Sequence, residues 1–428
     1  MLPLRFGFAF LLLIGRATAQ NYMQSGIATD DLFSLKKIDL VVKEAESITY
    51  PPEDFHTVVQ VRVPLSTPFS CEVAENRPKW RSDTKPTSVH KLRPGDIDVV
   101  SSMGDSIASG NAARERSAWG LLISDRGVAF SGGGQATWRE ITTLPNIIKV
   151  FNPNLIGQAL GRGDFFSYNA QLNVAVPGSL DSELIHQVKM FIFKMRRDRR
   201  IDFERDWKLV TIFIGHNNIC SFECNDKENN SPELHKAHLQ KALDYLYDKV
   251  PRVYVNIVNI LDPTIQQRLP ISLTCQFLSR AGCVCMHSAN DLKEGMLRLS
   301  RVVRNYQKAE EELVFSGRYD GREDFTVELQ PFSRVLNGPI EEGEVDSPVL
   351  KELIQNISTI WTPDCFHFSQ RGNAQVAIQL WNNMLQPVGN KTEKIEDVRL
   401  KQYFCPTEDK PYFFTKKNSE IFLNEGHQ

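Results

Sequence analysis

The chain has 428 residues, of which 41% are hydrophobic and 24% charged, and its 50 Lys plus Arg against 52 Asp plus Glu leave a formal net charge of −2. That near-balance excludes the marked basic excess of a nucleic-acid binder. The apolar content suffices for a sizeable core, and the length suits two or three average domains or one large α/β domain with insertions.

The first segment, "MLPLRFGFAFLLLIGRATAQ", has Arg5, a short apolar core from Phe6 to Ile14 and a small-x-small site at Ala17-Thr18-Ala19. That pattern predicts a signal peptide over residues 1–19. Its loss would remove Arg5 and Arg16 and no acid, moving the charge from −2 to −4. The apolar core is too short for a membrane-spanning helix, which needs about 20 residues, no later segment is long and apolar enough, and the C-terminus "KKNSEIFLNEGHQ" is polar. The expectation is therefore a secreted or endomembrane-lumenal protein without a transmembrane anchor. Residues 20–90, broken by Pro51, Pro52, Pro64, Pro68, Pro78 and Pro86, read as an N-terminal extension with a helix or two, tied down by Cys71.

From residue 97 the pattern changes. "IDVVSSMG" (97–104), "AQLNVAVPG" (170–178), "WKLVTIFIG" (207–215) and "RVYVNIVNIL" (252–261) are strand candidates. "LIHQVKMFIFKMRRD" (184–198) and "GNAQVAIQLWNNMLQ" (372–386) have helical spacing. "SPELHKAHLQKALDYLYDKV" (231–250) reads as a helix with Ser231 as cap, Pro232 in the first turn and Leu234, Leu239, Leu243 and Leu246 as its apolar stripe. The segment 262–350 is the least regular and reads as an insertion or lid-like region plus a helix near "LKEGMLRLSRVVRNYQKAEEELV"; residues 390–428 read as a tail packed on the domain. Continuous apolar strands alternating with helices predict a parallel sheet covered on both faces. In such sheets ligands bind at the carboxyl ends of the strands.

Eight cysteines, Cys71, Cys220, Cys224, Cys275, Cys283, Cys285, Cys365 and Cys405, follow the leader and read as disulfides. The pairings do not follow from sequence; local guesses are Cys220 with Cys224 and Cys365 with Cys405. A zinc site at Cys283-Val284-Cys285 with His287 is the competing reading, disfavoured because its spacing departs from the usual paired-Cys sites. The sequons at Asn356 and Asn390 fit N-glycosylation, and a third at Asn229 is weakened by Pro232.

Three strand ends carry candidate chemistry: Gly104-Asp105-Ser106, Pro177-Gly178-Ser179 and Gly215-His216-Asn217-Asn218. A serine hydroxyl needs a base within hydrogen-bond reach and the base needs an orienter. "TPDCFHFSQRGN" (362–373) offers Asp364 and His367 three residues apart, just before a helix. The backbone N–H groups of Ser106 and Gly178 and the side-chain amide of Asn217 are suitable oxyanion donors. His216 reads as a loop histidine, and the pairs Phe165-Phe166 and Phe413-Phe414 as core packing or chance surface exposure rather than lipid contacts.

"GDS", "AVPG", "G-x-N" after an apolar strand and "D-x-x-H", in that order, resemble the SGNH (GDSL-type) hydrolases. Longer stretches resemble the phospholipase B group of animal membrane-associated lipases: "PTSVHKLRPGDIDVVSSMGDSIASGNA", "NVAVPGS", "VTIFIGHNNIC" and "DCFHFSQRGNAQVAIQLWNNMLQPVG". The resemblance runs from about 86 to 389 and is thinnest over 262–350; it places a hydrolase domain at 91–389. It implies a three-layer α/β/α sandwich on a mostly parallel, five-stranded, flavodoxin-like sheet, and no metal or organic cofactor. It makes Ser106 the nucleophile, His367 the base and then acid, Asp364 its orienter, and Ser106, Gly178 and Asn217 the oxyanion hole. The serine lies outside a Gly-x-Ser-x-Gly elbow, since Ala108 fills the second glycine position. Asn218 stands where the family usually has Asp, which puts local loop hydrogen bonding in doubt.

The expected function is a secreted, serine-dependent lipase acting on phospholipid or lysophospholipid at a lipid interface. An esterase or acyltransferase for other esters uses the same site, because fold does not fix substrate. A secreted lipid-binding protein that keeps the fold without turnover is the reading from another class, supported by Asn218 alone.

Overall fold

The computed structural model describes residues 58–71, 80–115, 120, 123–268, 273–344, 360–394 and 402–425. The expected signal peptide, most of the N-terminal extension and the Asn356 sequon lie outside these residues. Four strands, β1 (Ile97–Gly104), β2 (Trp207–Phe213), β3 (Val253–Val258) and β4 (Phe325–Gln330), form one parallel sheet in the order β1-β2-β3-β4. They alternate with α1 (Leu144–Phe151), α2 (Leu184–Arg197), α3 (Pro232–Lys249), α4 (Leu273–Gly282) and α5 (Leu292–Val314), and are followed by α6 (Gln370–Met384) and α7 (Lys416–Asn424).

Both sheet faces are buried, so successive strand residues feed opposite cores. Leu209, Phe213, Tyr254 and Val258 pack with α1 and α6 through Ile147, Phe151, Leu380 and Trp381. Val210, Ile212, Val255 and Ile257 pack with α2, α3 and the end of α5 through Val188, Phe191, Leu243 and Leu313. This is the expected three-layer arrangement, with two differences in the sheet.

The expected strand at 170–178 is not a regular ladder. Ser102 N–H donates to the Leu172 carbonyl, Val174 N–H to Ser102 and Val176 N–H to Gly104, a parallel pattern that yields one bridge, Ser102–Asn173. The earlier part of the β1 edge is taken by Ile156, which exchanges bonds with Asp98 and Val100. Two segments share the edge, so neither pairs long enough to extend the four-stranded sheet to five. The second difference is β4, which lies inside the segment expected to be irregular.

Ser231 caps α3 by accepting from Leu234 N–H, as expected. On its buried face His235 replaces Leu234, which is half-buried. Residues 402–425 close over the sheet: Phe413 N–H donates to the Leu92 carbonyl and Tyr254 Oη–H to the Phe414 carbonyl. Phe413 and Phe414 are buried, whereas Phe166 is 70% exposed and does not belong to the core. Asn390 is exposed in the turn after α6. No helix among the described residues is long and apolar enough to cross a membrane.

The four disulfides are Cys71–Cys405, Cys220–Cys283, Cys224–Cys285 and Cys275–Cys365. The local guesses Cys220–Cys224 and Cys365–Cys405 are thereby corrected. Cys220 and Cys224 share one helical turn and both reach across to the short 283–285 segment, forming a satellite core with Ile219, Ile260 and Met286. Cys283 and Cys285 are oxidised, so their sulfurs are not zinc ligands.

Candidate active site

β1 ends against β2. Gly104 has φ +146°, and a Cβ there would lie 2.0 Å from the Phe213 carbonyl oxygen, so only glycine permits this exit. Asp105 then turns the chain: its Oδ1 accepts from Ile107 N–H at 3.0 Å. The Ser106 carbonyl accepts from Asn111 N–H and Ser109 Oγ–H. Small residues are needed because this turn is buried throughout, with Ser106 itself 7% exposed.

The loop before α6 is a tight hairpin. Thr362 N–H donates to the His367 carbonyl, Ser369 N–H to Ile360, and Trp361 bridges Phe368. Gln370 N–H donates to the Ala113 carbonyl at 2.7 Å and docks the hairpin on the segment following Ser106. At its tip Cys365 takes φ +58° and is bonded to Cys275 of α4. This fold-back brings Asp364 Oδ2 to 2.5 Å from His367 Nδ1, and His367 Nε2 to 2.8 Å from Ser106 Oγ.

Asp364 Oδ1 accepts from Phe366 N–H, His367 N–H and the Thr362 hydroxyl. Burial alone would raise the Asp364 pKa; the His367 charge and these hydrogen bonds outweigh it and hold the carboxyl at about 2. A fixed carboxylate on Nδ1 keeps that nitrogen protonated and leaves Nε2 free to accept from the serine.

Gly178 and Asn217 border the same strand ends. Gly104 pairs with Phe213, so the chains leading to Ser106 and Asn217 leave neighbouring strands at one level. Asn217 Nδ2 donates one hydrogen to the Ser179 carbonyl at 2.9 Å, leaving the other for a ligand oxygen. Gly178 is exposed with φ +80°, and a Cβ there would meet nothing within 4 Å. Among the described residues, neither Ser106 N–H nor Gly178 N–H takes a backbone acceptor.

The Asn218 departure leaves the loop bonded. Asn218 Oδ1 accepts from Asp181 N–H at 3.1 Å while its Nδ2 donates to Asn230 Oδ1 at 3.0 Å. A carboxylate could only accept, and would add a charge beside Asp181.

His216, expected as a loop histidine, is a buried structural one just beyond β2. It is 1% exposed; Nδ1–H donates to Asp105 Oδ2 at 2.9 Å and Nε2 accepts from Leu261 N–H at 3.1 Å, joining the exits of β1, β2 and β3. Thr362 also escaped sequence reasoning, because its contact with Asp364 depends on the hairpin.

Residues 100–380 match the family model described as GDSL-like Lipase/Acylhydrolase. The chain belongs to that family. It is similar to "Phospholipase B1, membrane-associated" of Mus musculus, 39% identical over 349 residues, which are 79% of this chain and 22% of the relative. The Homo sapiens protein of the same name is 39% identical over 349 residues, 80% of this chain and 23% of the relative. The Rattus norvegicus protein is 38% identical over 364 residues, 82% and 24% respectively. The chain thus spans about a quarter of the length of these curated relatives. Within this GDSL-like chain the matched span contains the exit of β1, the Gly178 turn, the exit of β2 and the Asp364–His367 hairpin.

Proposed function

We propose that this chain is a secreted, serine-dependent lipase of phospholipase B type. It would hydrolyse acyl esters of glycerophospholipids and lysophospholipids through an acyl-Ser106 intermediate. The observation that carries the reading is the unbroken hydrogen-bond chain Ser106–His367–Asp364 at the carboxyl ends of the strands. The names of the similar proteins support the phospholipid class. Four disulfides and the leader-like N-terminus support an oxidising compartment.

In acylation, Ser106 Oγ attacks the ester carbonyl as its proton passes to His367 Nε2. Asp364 holds the resulting imidazolium through Nδ1–H. The carbonyl oxygen, now negative, is held by Ser106 N–H, Gly178 N–H and Asn217 Nδ2–H. The tetrahedral adduct collapses, the C–O bond to the lyso-lipid breaks, and His367 Nε2–H protonates the departing oxygen. Water then repeats the sequence on the acyl-serine, releasing the fatty acid and returning the proton to Ser106.

The test is fatty-acid release from mixed phospholipid and lysophospholipid micelles, with and without a serine-reactive organophosphonate, for the native chain and Ser106→Ala. Release that is blocked by the phosphonate, with the label on Ser106, is expected. A folded protein that neither releases fatty acid nor takes the label would refute the reading and leave lipid binding without turnover. Release confined to simple or neutral-lipid esters would refute the phospholipid class.

A further inference from the structure

Three residues beyond Gly178 stands Asp181, 2% exposed, and two histidines of α3 hold its carboxylate. His235 Nδ1 lies 2.8 Å from Asp181 Oδ2, and His238 Nδ1 lies 2.8 Å from Asp181 Oδ1. His235 is fully buried, and its other nitrogen, Nε2, lies 3.3 Å from Glu310 Oε1 of α5. Glu310 Oε2 accepts from Asn259 Nδ2 at 2.7 Å and from Ile260 N–H at 3.1 Å, just beyond β3. An acid on each ring nitrogen is the arrangement of an imidazolium. Burial alone would lower the His235 pKa; the two carboxylates outweigh it and lift it to about 9.

This buried ion set touches both segments that carry the proposed oxyanion donors. Asp181 N–H donates to Asn218 Oδ1, and Asn217 Nδ2 donates to the Ser179 carbonyl, so the segments carrying Gly178 and Asn217 are laced together by two bonds, one of them from Asp181 itself. On the other side, a Cβ on Gly215 would come within 3.0 Å of His235 Cε1, so the ring also abuts the exit of β2. Buried ion pairs add little net stability over apolar packing of equal volume. What they impose is direction, since each bond fixes an atom of one element against another.

We propose that Asp181, His235 and Glu310 are positioning residues for the oxyanion donors, a buried ion set that holds Gly178 N–H and the Asn217 amide at the geometry of the transition state. The inference rests on the hydrolase reading above. Misplacing catalytic groups by about 1 Å costs on the order of 10²-fold in rate, and losing one oxyanion donor costs about 10²–10³-fold.

The experiment is turnover of the soluble ester p-nitrophenyl butyrate by the native chain, Ser106→Ala, Asn217→Ala, His235→Asn and the double variant Asn217→Ala/His235→Asn. Competent sites are counted by organophosphonate titration to completion, so that misfolded protein does not enter kcat. His235→Asn is expected to lower kcat per site by about 10²-fold, with KM within about threefold. The double variant is expected to lose clearly less than the product of the two single losses, because Asn217→Ala already removes one of the two donors that His235 positions. Should His235→Asn not fold, Asp181→Asn, which keeps the shape and removes the charge, enters the same cycle. Full kcat per site in these variants, or losses that multiply in the double variant, would overturn the inference while an inactive Ser106→Ala leaves the hydrolase reading standing. Turnover by Ser106→Ala would overturn the reading itself.

Discussion

Asp364→Asn tests whether the carboxylate acts by setting which nitrogen of His367 carries the proton. The carboxylate accepts four bonds, from Thr362 Oγ–H, Phe366 N–H, His367 N–H and His367 Nδ1–H. Asn keeps one oxygen for the Oδ1 set. Its NH₂ group must then face His367 Nδ1, which becomes an acceptor, and the proton moves to Nε2. That nitrogen, 2.8 Å from Ser106 Oγ, then donates to the serine instead of accepting its proton. The expected cost is about 10⁴-fold in kcat, the value for an orienting carboxylate that sets the tautomer.

Stability changes too. The carboxyl titrates at about 2 rather than 3.8, a difference worth on the order of 2 kcal/mol. A depressed folded-state value contributes stability above the unfolded-state value of 3.8 and loses it as pH falls toward 2, so the native chain and the variant should converge in melting temperature below pH 3. The assay is kcat for p-nitrophenyl butyrate per folded molecule at pH 7, with melting curves from pH 7 to 2. A kcat within tenfold of the native value, in a folded variant, would refute the tautomer argument.

The His235 ion set makes an alkaline prediction of opposite sign. Its folded-state pKa is raised from 6.5 to about 9, so its stabilisation is complete below 6.5 and is lost as pH rises through 9. The facing groups are Asp181, Glu310 and, across the ring, Tyr306, with His238 on the far oxygen of Asp181. Melting temperature should fall between about pH 6.5 and 9 in the native chain, and an equal fall in His235→Asn would contradict the assignment. Gly104→Ala should abolish folding or cost more than about 4 kcal/mol, because its Cβ meets the Phe213 carbonyl. Gly178→Ala, with φ +80° and open space, should cost only about 1–2 kcal/mol; equal melting temperatures for the two variants would refute this contrast. Replacing both Cys275 and Cys365 by Ser frees the tip of the acid–base hairpin, and is expected to lower kcat at least tenfold while esterase KM stays within about threefold; unchanged kcat would show that backbone bonds alone hold the tip.

The site blocks were legible because each is local. A strand end, a glycine turn and Asp-x-x-His are written in consecutive residues, and three of the four strands are rich in apolar and β-branched residues. β4 was not legible because "FTVELQ" alternates apolar with polar residues yet is buried on both faces. Its Thr326 hydroxyl donates to Glu328 Oε1, which also accepts from Lys416 N–H, and Gln330 donates to Asn256 Oδ1. A sequence pattern of that kind suggests a solvated face, and only the tertiary partners show otherwise. The disulfides escaped for a related reason: Cys71 finds Cys405 across 334 residues, a separation no spacing rule reaches. The His235–Asp181 contact left one faint sign, two histidines at i and i+3 on a helix.

The Asp364–His367 hairpin and the proposed oxyanion wall are held by different means, and their settings account for the difference. The hairpin lies between α4 and α6, where Asp364 and His367 belong to one short turn; a covalent tie at Cys365 and one backbone bond to Ala113 suffice to aim it. The proposed wall is assembled from two chain segments, around Gly178 and Asn217, joined by the Asn217–Ser179 and Asp181–Asn218 bonds. No single cross-link orients both, and the donors must stay partly open to an incoming oxygen. The buried Asp181 reaches one segment through its own backbone and the other through Asn218, while α3 supplies the countercharge in His235 and Glu310 of α5 holds that ring's other nitrogen. The neutral Asn218 belongs to the same device. It joins Asp181 to Asn230 without adding a third carboxylate to the two, Asp181 and Glu310, that already share His235.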